Sequence, residues 1–71
     1  MKTIHIQTEY ITLGQFLKLA DCISTGGQAK SFLQEAAIFV NGEPENRRGK
    51  KLVDQDRVRV EGCGEFQVAR G

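Results

Sequence analysis

Residues 24–51 read STGGQAKSFLQEAAIFVNGEPENRRGKK, and the rest of the chain is arranged around them. Gly26 and Gly27 open a short helix, Gln28–Glu35, with Ala29, Phe32, Leu33 and Ala36 along one apolar stripe. The helix runs directly into an apolar strand, Ile38-Phe39-Val40. Asn41-Gly42 then reverses the chain, because the type I′ hairpin turn needs positive φ at both central residues and these two types supply it. Pro44 confines the returning strand to an edge or ends it. Four cations within five residues follow, Arg47, Arg48, Lys50 and Lys51, in a polar segment containing Gly49 that reads as an exposed loop. The stretch predicts a rigid helix-plus-hairpin offering backbone donors and positive charge to a phosphate backbone.

Upstream, Ile4 and Ile6 alternate with polar residues, which gives a short strand over Met1–Gln7 with one buried face. Thr12 and Gln15 have capping-box spacing, so a helix begins at Thr12. Leu13, Phe16, Leu17 and Ala20 repeat the offsets of the second stripe, so the two helices are expected to pack their stripes together and onto a sheet. Gly14 weakens the first turn; close packing explains it more simply than ligand approach. Thr25 and Gln28 repeat the capping-box spacing at the second helix, with Gly27 as an alternative cap. Downstream, Leu52-Val53 returns to the core and Asp54-Gln55-Asp56 turns. Val58 and Val60 point inward with Arg57 and Arg59 outward. Gly62-Cys63-Gly64 turns again, Phe66 and Val68 form a last strand, and the tail from Ala69 to Gly71 is expected to fray. The order is β-α-α-β-β-β-β. It predicts an α+β fold: a helix-turn-helix of two short packed helices on one side of a small, mostly antiparallel sheet.

Seventy-one residues make a single domain, 1–71, whose core is marginal in size, so most apolar side chains must be committed to it. Net charge is only +1, so any nucleic-acid site must come from uneven placement of charge. No apolar run reaches membrane-span length and no signal-peptide segment opens the chain, so cytoplasmic residence is expected and a membrane partner is not. Two cysteines, Cys22 and Cys63, with one histidine and no CxxC pair suit neither a dense disulfide framework nor zinc; the expectation is two free thiols and no metal.

There is no Ser/His/Asp set, P-loop, GxGxxG or HExxH, so no enzyme, cofactor or small-molecule substrate is expected. Glu43, Glu45, Asp54 and Asp56 read as solvated surface. The basic run is a solvated loop in the plain reading. In the sharper one it is a phosphate-binding loop, because it follows a rigid hairpin and Lys30, Arg57 and Arg59 can extend it in space. Gly26 and Gly27 likewise either only make a turn or admit a phosphate to the helix N-terminus beside Lys30. With no Trp, and with all four Phe on expected core faces, base-stacking platforms are lacking; backbone and shape recognition in folded RNA fits better.

Thr25–Gly42, TGGQAKSFLQEAAIFVNG, resembles the RNA-binding domain of the ribosomal protein S-four type. In that family a helix-turn-helix leads into an apolar strand and Val-Asn-Gly. ITLGQFLKLAD from Ile11, GGQAK from Gly26, VNGEPENRRGKKL from Val40 and GEFQV from Gly64 are similar to its small stand-alone bacterial form (YaaA/YbcJ-like). The resemblance spans nearly the whole chain. It implies RNA binding, with Thr25, Lys30, Asn41 and Gly42 matching the general pattern and Arg47, Arg48, Lys50 and Lys51 the small form. Thr12, Gly26 and Glu43 stand where basic residues are common in the family, which shifts the expected contacts toward the loop. The expected partner is structured RNA, ribosomal or transfer, with the ribosome behind it. The alternative is a protein-interaction adaptor on a ribosome-related or nucleic-acid-processing complex. DNA is less well suited, since no helix carries a base-reading row.

Overall fold

The computed structural model describes the chain from Met1 to Gly71; of Gly26 only its place in a 3-10 turn is described. In chain order the elements are β1 (Lys2–Ile6), β2 (Ile11–Thr12), α1 (Leu13–Leu19), the 3-10 turn (Gly26–Gln28), α2 (Ala29–Glu35), β3 (Ile38–Val40), β4 (Glu43–Pro44), β5 (Lys51–Leu52), β6 (Arg57–Val60) and β7 (Gly64–Arg70). The fold is α+β, with two helices and a mostly antiparallel sheet in the order β1-β7-β6-β3-β4. The parallel pair is β1 with β7, in register from Lys2 opposite Phe66 to Ile6 opposite Arg70. A second, two-stranded sheet joins Ile11 to Leu52 and Thr12 to Lys51.

Local chemistry accounts for most of the boundaries. At the start of α1 the Thr12 hydroxyl accepts from the Gln15 amide at 3.3 Å, and the Gln15 side chain accepts from the Thr12 amide at 3.1 Å, a complete capping box. At its other end Asp21 adopts φ 63°, Asp21 N–H donates to Lys18 and Cys22 N–H to Leu17. This is a Schellman motif built on aspartate instead of glycine. The hairpin turn has φ 52° at Asn41 and 85° at Gly42, as a type I′ turn requires. Pro44 lies on edge strand β4, where its missing N–H leaves no ladder gap.

The strands alternate as their sequence dictates. Ile6, Ile38, Val40, Val58, Val60, Phe66 and Val68 are buried in one cluster with Leu13, Phe16 and Leu17 of α1 and Ala29 and Leu33 of α2. Phe16 meets Phe66 edge to face, with ring centroids 5.5 Å apart. Leu52 is fully buried.

Four expectations need correction. Val53, placed in the core, is exposed; β5 ends at Leu52, and the Val53 amide goes instead to the Asp56 carboxylate at 2.9 Å. The tail is strand β7 almost to its end: Ala69 and Arg70 pair with β1, the Arg70 amide donates to Asp54, and the Gly71 amide to Ile6. Phe39, assigned to the core, projects from the opposite face to Ile38 and Val40 and is half-buried. Cys22 and Cys63, expected as free thiols, form a disulfide with Cα atoms 6.1 Å apart. The Schellman motif fixes Cys22 just after α1. The turn between β6 and β7, with positive φ at Gly62 and Gly64, presents Cys63 to it. Neither α1 nor α2 is long and apolar enough to cross a membrane.

Candidate nucleic-acid interface

The basic loop is held at both ends and in its middle. The Glu45 amide donates to the Ile38 carbonyl at 2.9 Å, and the Lys50 amide to the Arg47 carbonyl at 3.1 Å. An α-helix begins with amides that lack intrahelical partners. In α1 two of these, Leu13 and Gly14, donate to the carbonyls of Lys50 and Arg48 at 2.8 and 2.9 Å. The loop therefore caps the helix with its own backbone and leaves the Arg47 and Arg48 side chains exposed. Gly14 lies against this contact: a Cβ there would make ordinary contacts, 3.5 Å from the Arg48 carbonyl oxygen and 3.8 Å from the Ala29 Cβ, so a methyl fits and only a larger side chain would press on the loop.

The four cations do not share one environment. The Arg47 guanidinium forms a two-point pair with Glu45, Nε to Oε2 at 2.9 Å and Nη2 to Oε1 at 3.1 Å. The Glu45 side chain is only 11% exposed, and these hydrogen bonds, with help from the Arg47 and Asn46 amides, hold its pKa down to about 2 against the desolvation that opposes them. The same contact raises the Arg47 pKa. Glu45 is thus a structural partner, not the solvated carboxylate expected. Arg48 lines a shallow depression with Lys30, Gln34 and Asn46, so the expected meeting of helix lysine and loop cation takes place here. Lys50 is half-buried and lines a neighbouring hollow with Asn41, Glu43, Glu45 and Asp56. The Lys51 ammonium stands 4.8 Å from the centroid of the Tyr10 ring, a cation–π contact on a different flank.

Asn41 is spent on structure. Its side-chain nitrogen donates to Asp56 at 3.1 Å and its oxygen accepts from the Arg57 amide at 2.9 Å, which locks the hairpin to the start of β6. Gly42 supplies the second positive φ. At the 3-10 turn only half of the second capping box forms: the Gln28 side-chain oxygen accepts from Ser24 at 2.7 Å and Thr25 at 3.1 Å. A Cβ on Gly27 would meet just the Thr25 hydroxyl, at 3.9 Å. Of Gly26, included in the expected site, only its place in the 3-10 turn is described. Arg57 and Arg59 do not extend the loop patch; they project from the outer sheet face.

Sequence reasoning missed Tyr10, the Glu45 pairing and the outward Phe39. For Phe39 a signal existed, since strand alternation puts the middle of three residues opposite its neighbours.

A family model described as S4 domain matches residues 4–69. The chain belongs to the S4 domain family. It is also similar to a Bacillus subtilis (strain 168) protein described as "Probable ribosome maturation protein RlbA", at 63% identity over 65 residues, covering 92% of each chain. In this S4 domain the segment Val40–Leu52 combines a hairpin turn with a basic loop anchored on α1.

Proposed function

We propose that this S4 domain is a stand-alone, non-enzymatic RNA-binding module of the cytoplasm that recognises structured ribosomal or transfer RNA by phosphate and shape contacts. The two helices act as a helix-turn-helix on one side of the sheet, with the basic loop beside them. Arg48, Lys30, Lys50 and Lys51 supply the contacts, with Arg47 contributing when released from Glu45. Thr25, Gly26 and Gly27 flank Lys30, while Asn41 and Gly42 hold the hairpin in place. The relative's name speaks of ribosome maturation, and we carry that setting to this chain: its RNA belongs to the assembling or mature ribosome.

The observation that carries this reading is the pair of backbone hydrogen bonds from α1 to the loop. They fix the backbone at Arg48, whose side chain lines one depression with Lys30, and this supports a cationic site that needs little ordering of the loop on binding. The test is retention of a structured ribosomal RNA fragment at increasing salt by the parent protein and by the Lys30→Ala/Arg48→Ala variant. The variant should bind more weakly and lose about 1.4–1.8 from the slope of log affinity against log salt, at roughly 0.7–0.9 per phosphate contact. Salt-insensitive retention, or identical slopes, would leave the protein-adaptor reading ahead.

A further inference from the structure

The outer face of the sheet carries a further hollow, lined by Phe39, Asn41, Gly42, Arg57, Arg59 and Glu65. The alternation that buries Val40, Val58, Val60 and Phe66 sends Phe39, Arg57, Arg59 and Glu65 to the other face. The ladder puts them in register: Phe39 is opposite Arg59, and Arg59 is opposite Glu65, a single row across three strands. The Arg59 guanidinium carbon stands 4.6 Å from the centre of the Phe39 ring. Arg57 lies two residues along on the same face. Among the described residues, no hydrogen bond or ion pair engages the side chain of either arginine, so their donors are unspent.

We propose that this face binds unpaired nucleotides of RNA. One base stacks on the Arg59–Phe39 pair, since a guanidinium backed by an aromatic ring presents a cationic plane to a π-system. Arg57 contacts the adjoining phosphate. Glu65, beside Arg59, accepts from an exocyclic amino group, which favours adenine, cytosine and guanine over uracil. An acidic peptide would engage the two arginines but leave the ring without a role, and Glu65 would repel it. The proposal shares the premise that the chain binds RNA, but it uses side chains on a different face from the loop and fails separately.

The test uses a single-stranded RNA octamer carrying 2-aminopurine, whose fluorescence is quenched by stacking. The parent should bind and quench it. Phe39→Leu removes the π-face and keeps an apolar strand residue; Arg59→Lys keeps the charge and removes the plane. Each should weaken octamer binding about tenfold and abolish the quench. Glu65→Gln should even out affinity for adenine-rich and uracil-rich octamers. Alanine at Arg47, Arg48, Lys50 and Lys51 together should leave the quench intact while weakening folded-RNA retention. Absence of binding or quench with the parent overturns the proposal, even if folded RNA is retained. So does an unchanged quench with Arg59→Lys, a substitution at an exposed position that should leave the fold intact. Polyglutamate displacing the octamer at the octamer's own affinity overturns it in favour of an acidic-peptide face.

Discussion

The Gly14 amide donates to the Arg48 carbonyl oxygen across 2.9 Å, so the helix start and the basic loop form one rigid unit. A Cβ at position 14 would make ordinary contacts at 3.5–3.8 Å, whereas a branched side chain must displace the loop or Ala29. Gly14→Ala should therefore be neutral or stabilising by up to about 1 kcal/mol, the helix-propensity gain. Gly14→Val should lower the melting temperature and also weaken RNA retention, because it moves Arg48. Thermal melts and filter binding on the two variants check this; equal behaviour of Ala and Val would remove the close approach from the argument.

Alanine at all four loop cations should weaken RNA binding similarly across sequences, because phosphate contacts position without specifying. The loss of salt slope should be about 2–3, at roughly 0.7–0.9 per contact, with Arg48 the largest single contributor and Arg47 the smallest. Lys2 and Arg70, near the chain ends, serve as controls. A salt titration of the single and quadruple variants against one structured RNA measures the ranking, and an Arg47 effect equal to that of Arg48 contradicts it.

The Glu45 carboxyl, held to about 2 instead of its ordinary 4.5, should titrate well below the usual carboxylate range. Its folded pKa lies below the unfolded value, so the folded state takes up this proton less readily than the unfolded chain. The stabilisation is present above about pH 4.5 and is lost as pH falls through about 2. A carbon-detected NMR titration should show this midpoint, and Arg47→Ala should return it to the ordinary range. The effect on global stability should be small, because the Arg47 side chain is 71% exposed. Glu45→Gln frees Arg47 and should steepen the salt dependence of RNA binding by up to about one contact, roughly 0.7–0.9.

Reduction of Cys22–Cys63 should destabilise the fold. Closing a loop of sequence separation 41 lowers the entropy of the unfolded chain. The loop-length relation gives about 4 kcal/mol as an upper figure, and measured losses run from about 2 kcal/mol. Denaturant melts with and without reductant, alongside Cys22→Ser and Cys63→Ser, should give three matching losses. Unchanged midpoints would dismiss the bond as a structural element.

Features set by neighbours in sequence were legible. The Thr12–Gln15 capping box, the Asn41-Gly42 turn and the edge position of Pro44 each follow from residue types a few positions apart. Most of what escaped depends on distant partners, the Glu45–Arg47 pair and the outward Phe39 being local exceptions. Nothing local says that β1 pairs with β7, which is why the tail was expected to fray. Nothing local says that an aspartate-built Schellman motif and a Gly-Cys-Gly turn bring two thiols together. In the candidate site, the meeting of Lys30 and Arg48 was anticipated. The dispersal of the other three cations was not: Arg47 pairs with Glu45, Lys51 stands over Tyr10, and Lys50 is half-buried in a separate hollow.

The disulfide also has a topological consequence. It closes a covalent ring through residues 22–63, and every candidate contact from Thr25 to Lys51 lies on the circumference. A protease that cuts the exposed Arg47-Arg48 step opens the ring without releasing a fragment, so the nicked molecule migrates as a single species until a reductant separates it into two.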